Sequence, residues 1–194
     1  MPTLGPHSWY ADANDAKAQT AFLDDLVPYV EEKYKTRSDR AGRSIAGLSM
    51  GGYGALNLSL SRPDLFCAAG VLSPAIYDPL PPETSAAREA PQFVKNGTFD
   101  DQAWTDALYP SRLDGYKKAE TIVPMWIESG DHDALGIVLA AAQLYWTLHS
   151  IQPKDIEYRV VDGDHDWMVF RESSIRALPY MNSKCESLDS VSKN

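Results

Sequence analysis

The tetrapeptide Gly-Asp-His-Asp occurs twice in this 194-residue chain, at 130–133 and at 163–166, supplying two imidazoles and four carboxylates. Two matching loops of this kind could hold a divalent ion, because Asp and His are proper ligands for zinc or manganese. They could equally supply unlike parts of one proton relay. A third stretch, Gly47-Leu48-Ser49-Met50-Gly51, bears on the choice. It reads G-x-S-x-G, the spacing that seats a serine on a sharp strand-to-helix turn, with glycines two before and two after making room. A serine hydroxyl is a poor nucleophile until a histidine takes its proton and a carboxylate orients that histidine. The metal alternative leaves this turn unexplained and lacks an HExxH-type spacing. The expectation is therefore no metal and no cofactor.

Four histidines compete for the part of base. His7 lies in the opening loop and precedes the serine, and His149 ends a helix, where capping is the better use. His132 and His165 lie in the two repeated loops. Where a G-x-S-x-G turn carries a triad, the chain order is serine, acid, histidine. The later loop should then give the base, His165, and the earlier loop the acid. Asp131 and Asp133 are both open for that part on spacing alone. His132 is expected to be exposed between its two neighbouring carboxylates. The free N–H of Met50, at the positive end of the helix after Ser49, would stabilise an oxyanion.

Positioning these groups requires strands that end at one edge. "RSIAGL" (43–48), "CAAGVLS" (67–73), "IVPMWIE" (122–128) and "IEYRVV" (156–161) read as strands. Helices are expected at 49–60, at 134–150 as a well-buried element, and from Trp167 to about Leu178. Another begins near Asp12, capped by Asp12 or Asn14. Its buried stripe would be Phe22, Leu26, Val30 and Tyr34, with a kink at Pro28. Strands alternating with helices predict an α/β fold, a mostly parallel sheet covered on both faces. Residues 1–180 form one domain, with 76–120 inserted over the strand ends and a polar tail over 181–194.

Net charge is −9, from 18 Lys+Arg against 27 Asp+Glu, which repels phosphate backbones and makes nucleic acid an unlikely partner. No apolar run approaches the roughly 20 residues of a membrane span, and no basic amphipathic helix suits an anionic lipid surface. Cys67 is expected to be a buried free thiol and Cys185 to sit in the tail. Two cysteines leave the compartment open.

Several blocks together resemble the esterase D group of α/β-hydrolases, which includes feruloyl and acetylxylan esterases, formylglutathione hydrolases and mycolyltransferases. They are "HSWYADA" (7–13), "LVPYVEEKY" (26–34), "RSIAGLSMGGYGALNLSLSRPDLFCAAGVLSPA" (43–75), "ESGDHDALG" (128–136) and "VVDGDHDWMVFRE" (160–172). The resemblance implies a three-layer α/β/α sandwich of the α/β-hydrolase fold. It implies catalytic parts for Ser49, Asp133 and His165, which resolves the choice between Asp131 and Asp133. It also implies a place near the site for Trp9, Tyr10 and Trp167, either lining an acyl or alcohol pocket or packed beneath loops.

The resemblance further implies strands ahead of "MPTLGPHSWY", one of which supplies a second oxyanion N–H. With those strands absent, residues 43–48 would form an open sheet edge, an aggregation hazard. A partner chain (a homo-oligomer) or rearranged local segments are expected to cover it. The function implied is a serine carboxylesterase for short-chain or aromatic acyl esters. The alternatives are a weak hydrolase serving as a binding module, or an acyltransferase to a sugar or alcohol.

Overall fold

Four short runs of apolar and small residues pair side by side and all point the same way. The computed structural model describes residues 8–13 and 17–192, so His7 and Asn14 lie outside it. In chain order the regular elements are α1 (Ala18–Thr20), α2 (Val27–Tyr34), β1 (Ser44–Leu48), α3 (Met50–Ser61) and β2 (Ala68–Leu72). A two-residue hairpin follows, β3 (Val94–Lys95) and β4 (Thr98–Phe99), then α4 (Asp101–Ala107) and α5 (Leu113–Lys118). The chain ends with β5 (Met125–Gly130), α6 (Ile137–His149), β6 (Ile156–Val161) and α7 (Trp167–Ser192). The main sheet has the order β1-β2-β5-β6 and every pair in it is parallel.

Side chains alternate across a strand, so each strand feeds two faces. Ile45, Ala69, Val71, Met125 and Ile127 join one core with Tyr53, Leu56 and Leu60 of α3 and Ile137, Ala141, Leu144 and Leu148 of α6. Ala68 and Leu72, with Leu48 and Trp126 beside them, face the other way and pack on Ala177 and Met181 of α7. The result is the expected three-layer α/β/α sandwich. Among the described residues, no helix is long and apolar enough to cross a membrane.

Several expectations need correction. α6 is half-buried: Leu139 and Trp146 are exposed, because its sheet-facing stripe is the i, i+4, i+7 set above. The first helix starts at Ala18, and the Asp12 carboxylate accepts hydrogen bonds from the backbone N–H and the hydroxyl of Thr20. Ahead of Pro28 its turns widen to a π-helical stretch, Ala21–Leu26, in which the Val27 N–H reaches back to Phe22 O. The Phe22, Leu26 and Val30 stripe is only partly buried and Tyr34 is exposed. Phe22, Leu26 and Val30 face a groove of about 870 Å³, whose opposite wall is β1. β1 is the sheet's edge strand: β2 pairs with one side, and among the described residues no strand pairs with the other.

The segment 76–120 is more than an overlay. Phe93 and Trp104 are buried with Trp9 and Tyr53, their rings meeting edge-on or stacked at 4.9–6.5 Å. Trp104 Nε1 donates to Tyr77 O (3.0 Å), and the Tyr53 hydroxyl donates to Ala107 O (2.9 Å). Trp104 and Tyr53 thus contribute large apolar area while their polar atoms still find partners.

The polar tail is likewise corrected. α7 runs straight through 181 to Ser192, past Pro179. Ala177, Met181 and Cys185 recur every fourth residue and lie against the sheet. Cys185 is bonded to Cys67 in a disulfide, Cα–Cα 5.0 Å, so Cys67 is not a free thiol. Sequence composition hid this because the stripe is sparse among Ser, Lys and Glu. Nearer its start, α7 is fastened by Glu128 of β5, whose side chain is fully buried. Glu128 accepts from Ser173 Oγ (2.7 Å), Trp126 Nε1 (2.9 Å) and the Arg176 guanidinium. Burial works to raise its pKa, but those bonds prevail and hold it below the usual carboxylate value.

Two predictions follow from this packing. Removing the bridge, by Cys185→Ser or by a reductant, lowers stability by about 2–5 kcal/mol, seen as a lower thermal midpoint. Non-reduced protein shows no reactive thiol, and two free thiols with an unchanged midpoint would contradict the staple. Glu128→Gln costs about 1.5–3 kcal/mol at pH 7, since Ser173, Trp126 and the partly exposed Arg176 lose their charged acceptor. A carboxylate with a depressed pKa stabilises above its unfolded value of about 4.3, and that contribution fades as pH falls through the folded value. The gap between wild type and Glu128→Gln in urea titrations should thus begin to narrow below about pH 4 and keep shrinking on further acidification, and a gap that stays constant down to the lowest pH at which the protein is folded would contradict the charge-based account.

Candidate active site

Ser49 stands where β1 turns into α3, with φ 54° and ψ −119°. A non-glycine residue rarely adopts a positive φ, and such strain persists only where the surroundings over-determine it. The surroundings here are backbone hydrogen bonds: Ser49 N donates to Leu72 O (2.9 Å), and Ser49 O accepts from Ala75 N (3.0 Å) and Tyr53 N (3.1 Å). Of the two flanking glycines, one is dictated by space. A Cβ on Gly47 would lie 2.1 Å from Gly51 O, whereas a Cβ on Gly51 would meet nothing within 4 Å. The expectation that both make room is thereby narrowed to Gly47. Gly52 brings α3 close to β2, since a Cβ there would touch Leu72 O at 2.8 Å.

β5 and β6 pair in parallel up to Gly130 and Val161, so the two repeated loops leave the sheet side by side. The structure brings three of the singled-out side chains into one chain of hydrogen bonds. His165 Nε2 lies 2.8 Å from Ser49 Oγ, and His165 Nδ1 lies 2.8 Å from Asp133 Oδ2. A carboxylate only accepts, so Nδ1 carries the proton toward Asp133 and Nε2 is left to accept from the Ser49 hydroxyl. The Asp133 side chain is fully buried and its other oxygen accepts from Leu135 N at 2.9 Å. Phe170 packs edge-on against the imidazole, ring centroids 4.9 Å apart. Asp166 caps α7 by accepting from Met168 N (2.9 Å) and Val169 N (3.1 Å), which fixes the exit of the His165 loop.

The remaining members of the repeat lie outward. His132 is exposed, with Nδ1 2.7 Å from Asp131 Oδ1 and 3.6 Å from Asp162 Oδ1. These three exposed groups lie close together, but they do not join the Ser49–His165–Asp133 chain. His149 closes α6 and stacks on Trp146.

The other candidates divide. Met50 opens α3 and lines the groove along β1 together with Ser49, Tyr10 and Phe22. As the first helical residue its N–H has no intrahelical carbonyl to bond. Trp167 is exposed and lines a second cavity with Leu48, Met168 and Phe170. Trp9 is corrected: it sits in the aromatic core with Tyr53, Phe93 and Trp104 and lines neither cavity. Its neighbour Tyr10 instead lies on α3, where Gly54 leaves space for its ring. Sequence reasoning missed Phe170 and Phe22. The first could have been found from its place one turn into the helix that follows His165, the second from its stripe.

A family model described as "Esterase: Putative esterase" matches residues 9–181. Among named proteins, the chain is 36% identical over 61 residues to an endo-1,4-beta-xylanase/feruloyl esterase of Xylanibacter ruminicola, covering 31% of this chain and 8% of that one. It is 31% identical over 74 residues to an esterase of Mycobacterium tuberculosis, covering 36% of this chain and 16% of that one. Among solved structures it is similar to a ferulic acid esterase, with TM-score 0.67 and 26% identity over 91% of this chain and 64% of that one. A Staphylococcus aureus fluorophosphonate-binding serine hydrolase shares the fold at TM-score 0.66 and 22% identity, over 91% of this chain and 68% of that one. The chain thus spans about two thirds of these solved relatives and under a fifth of the curated ones.

The turn yields a prediction that concerns stability alone. Gly47→Ala forces Gly51 away and destabilises by more than about 2 kcal/mol. Gly51→Ala, in open space at the start of a helix, is neutral or stabilises by about 0.5–1 kcal/mol. Urea titration of both variants checks this, and equal effects would contradict the geometry of the turn.

Proposed function

Since the chain belongs to the Esterase family, whose model spans residues 9–181, we propose that it is a serine carboxylesterase acting through Ser49, His165 and Asp133. The observation that carries this reading is the pair of 2.8 Å hydrogen bonds joining those side chains at a strained serine turn. Ser49 Oγ attacks the ester carbonyl while His165 Nε2 takes its proton. Asp133, buried beside Nδ1, holds the ring in the right tautomer and stabilises the imidazolium that forms. The carbonyl oxygen gathers negative charge, and the Met50 N–H at the start of α3 donates to it. Collapse of the tetrahedral adduct breaks the bond to the alcohol, which leaves with the proton from His165. Water then attacks the acyl-serine with His165 again as base, releasing the acid and restoring the serine.

The acyl group proposed is short or aromatic. Tyr10 and Phe22 line the groove beside Ser49, and Trp167 lines the cavity next to Leu48, so flat rings have surfaces to lie on. Ferulate esters suit such walls, in keeping with the likeness to a ferulic acid esterase.

The test is hydrolysis of p-nitrophenyl acetate, p-nitrophenyl palmitate and methyl ferulate. Acetate and ferulate esters are expected to turn over and palmitate to be poor. Ser49→Ala and His165→Ala should each lower kcat by about 10⁴-fold or more, and Asp133→Asn by about 10³–10⁴-fold. All three variants should keep their circular dichroism spectrum. Turnover in Ser49→Ala equal to wild type would overturn the reading.

A further inference from the structure

The repeated Gly-Asp-His-Asp loops hold a pair of aspartates that the proposed reaction does not use. Asp131 and Asp164 occupy the same place in their respective repeats, directly after the glycine. Each reaches across to the other loop. Asp131 Oδ1 accepts from Gly163 N at 3.1 Å, and Asp164 Oδ1 accepts from Ala134 N at 3.1 Å. The same Asp164 oxygen also accepts from His165 N at 2.6 Å. Ala134 is the residue after Asp133, so one oxygen ties the backbone beside the buried carboxylate to the backbone of the imidazole. The glycines let the loops touch: a Cβ on Gly130 would lie 2.2 Å from Gly163 O, and Gly163 itself has φ 137°. A backbone bond from His132 N to Gly163 O (3.0 Å) completes the contact.

We propose that Asp131 and Asp164 are positioning residues that form a crossed clasp between the two loops, and that the clasp sets the spacing of Asp133 from His165. This rests on the reading of Ser49, His165 and Asp133 as the catalytic group. The physical need is plain. Asp133 and His165 come from different strands, on loops of few residues. The bond at 2.8 Å holds only while the two loops keep register, and a misplacement of about 1 Å costs on the order of 10²-fold in rate. Backbone N–H groups aimed at both aspartates hold their carboxyls below the usual range: Gly163 foremost for Asp131, His165 and then Ala134 for Asp164. Both therefore remain good acceptors through neutral pH. The clasp also answers why the lettering repeats: the first aspartate of each copy serves the partner loop, while the second aspartates part company, Asp133 to the imidazole and Asp166 to the α7 cap.

The test uses the full chain with Asp164→Ala, Asp164→Asn, Asp131→Ala and the double alanine variant, alongside Ser49→Ala. Asp164→Ala is expected to lower kcat on p-nitrophenyl acetate by about 10–100-fold with KM within about twofold. Asparagine keeps an acceptor oxygen for both N–H groups, so Asp164→Asn should recover to within about fivefold of wild type. Because both aspartates act on one inter-loop register, the double alanine variant should lose less than the product of the single losses. A second readout is independent of turnover: the downfield proton resonance of the His165 Nδ1–H, which should weaken or shift in Asp164→Ala and return in Asp164→Asn. Unchanged kcat and unchanged resonance in Asp164→Ala would overturn the clasp, as would losses that multiply independently. Wild type no more active than Ser49→Ala would count against the esterase reading instead, leaving the resonance to decide the clasp.

Discussion

A parallel sheet delivers the carboxyl ends of all its strands to one edge, and everything distinctive about this protein depends on that. β1, β5 and β6 are far apart in sequence yet end within a few residues of each other in space, because β2 sits between β1 and β5 and the pairing register runs unbroken from Ser44 to Val161. The turns that follow are short: Ser49 is the first residue after β1, Asp133 the third after β5 and His165 the fourth after β6. Neighbouring strands lie about 4.8 Å apart, so the span from β1 to β6 is bridged by the length of an imidazole and the reach of its loop. Small residues make this possible where backbones meet: Gly47 against Gly51, Gly130 against Gly163.

The layers supply rigidity of different kinds. On one face the aromatic group of Trp9, Tyr53, Phe93 and Trp104 locks the 76–120 segment onto α3, the helix whose first residue follows the serine. On the other face α7 is fastened by the buried Glu128 with Arg176 and by the Cys67–Cys185 bridge. Both fastenings reach the site through the chain. Phe170, one turn into α7, presses on the imidazole, and Asp166 caps the same helix. The outer edge of β1 contrasts with this, facing a groove lined across from it by Phe22, Leu26 and Val30.

Much of the strand framework was legible because β-branched and small apolar residues cluster in short runs bounded by turns, and β6 matched its expected span of 156–161. The meeting of Ser49 with His165 and an aspartate of the first loop was legible too, since a serine turn demands a base and an acid and the chain offers them after later strands; that the aspartate is Asp133 was implied by the resemblance. Spacing alone left Asp131 and Asp133 level. What separates them is burial: Asp133 is shielded and faces the ring, while Asp131 turns to the neighbouring loop. The misses share a cause. α7 beyond Leu178, the bridge to Cys67 and the core position of Trp9 all depend on long-range packing, which overrides a polar composition or a loop-like local sequence. The widened turn ahead of Pro28 was read only as a kink, because sequence shows that a bond is lost but not how neighbouring carbonyls compensate.

In the proposed reaction the Ser49 hydroxyl becomes an acyl acceptor because His165 removes its proton. Rapid-quench mass spectrometry of the intact protein, mixed with p-nitrophenyl acetate and digested to locate the label, measures this directly. A transient acetyl mass is expected on the peptide bearing Ser49, and it should be lost when His165 is replaced by alanine. An acetyl group found on other residues alone, or on Ser49 to the same extent without His165, would contradict it.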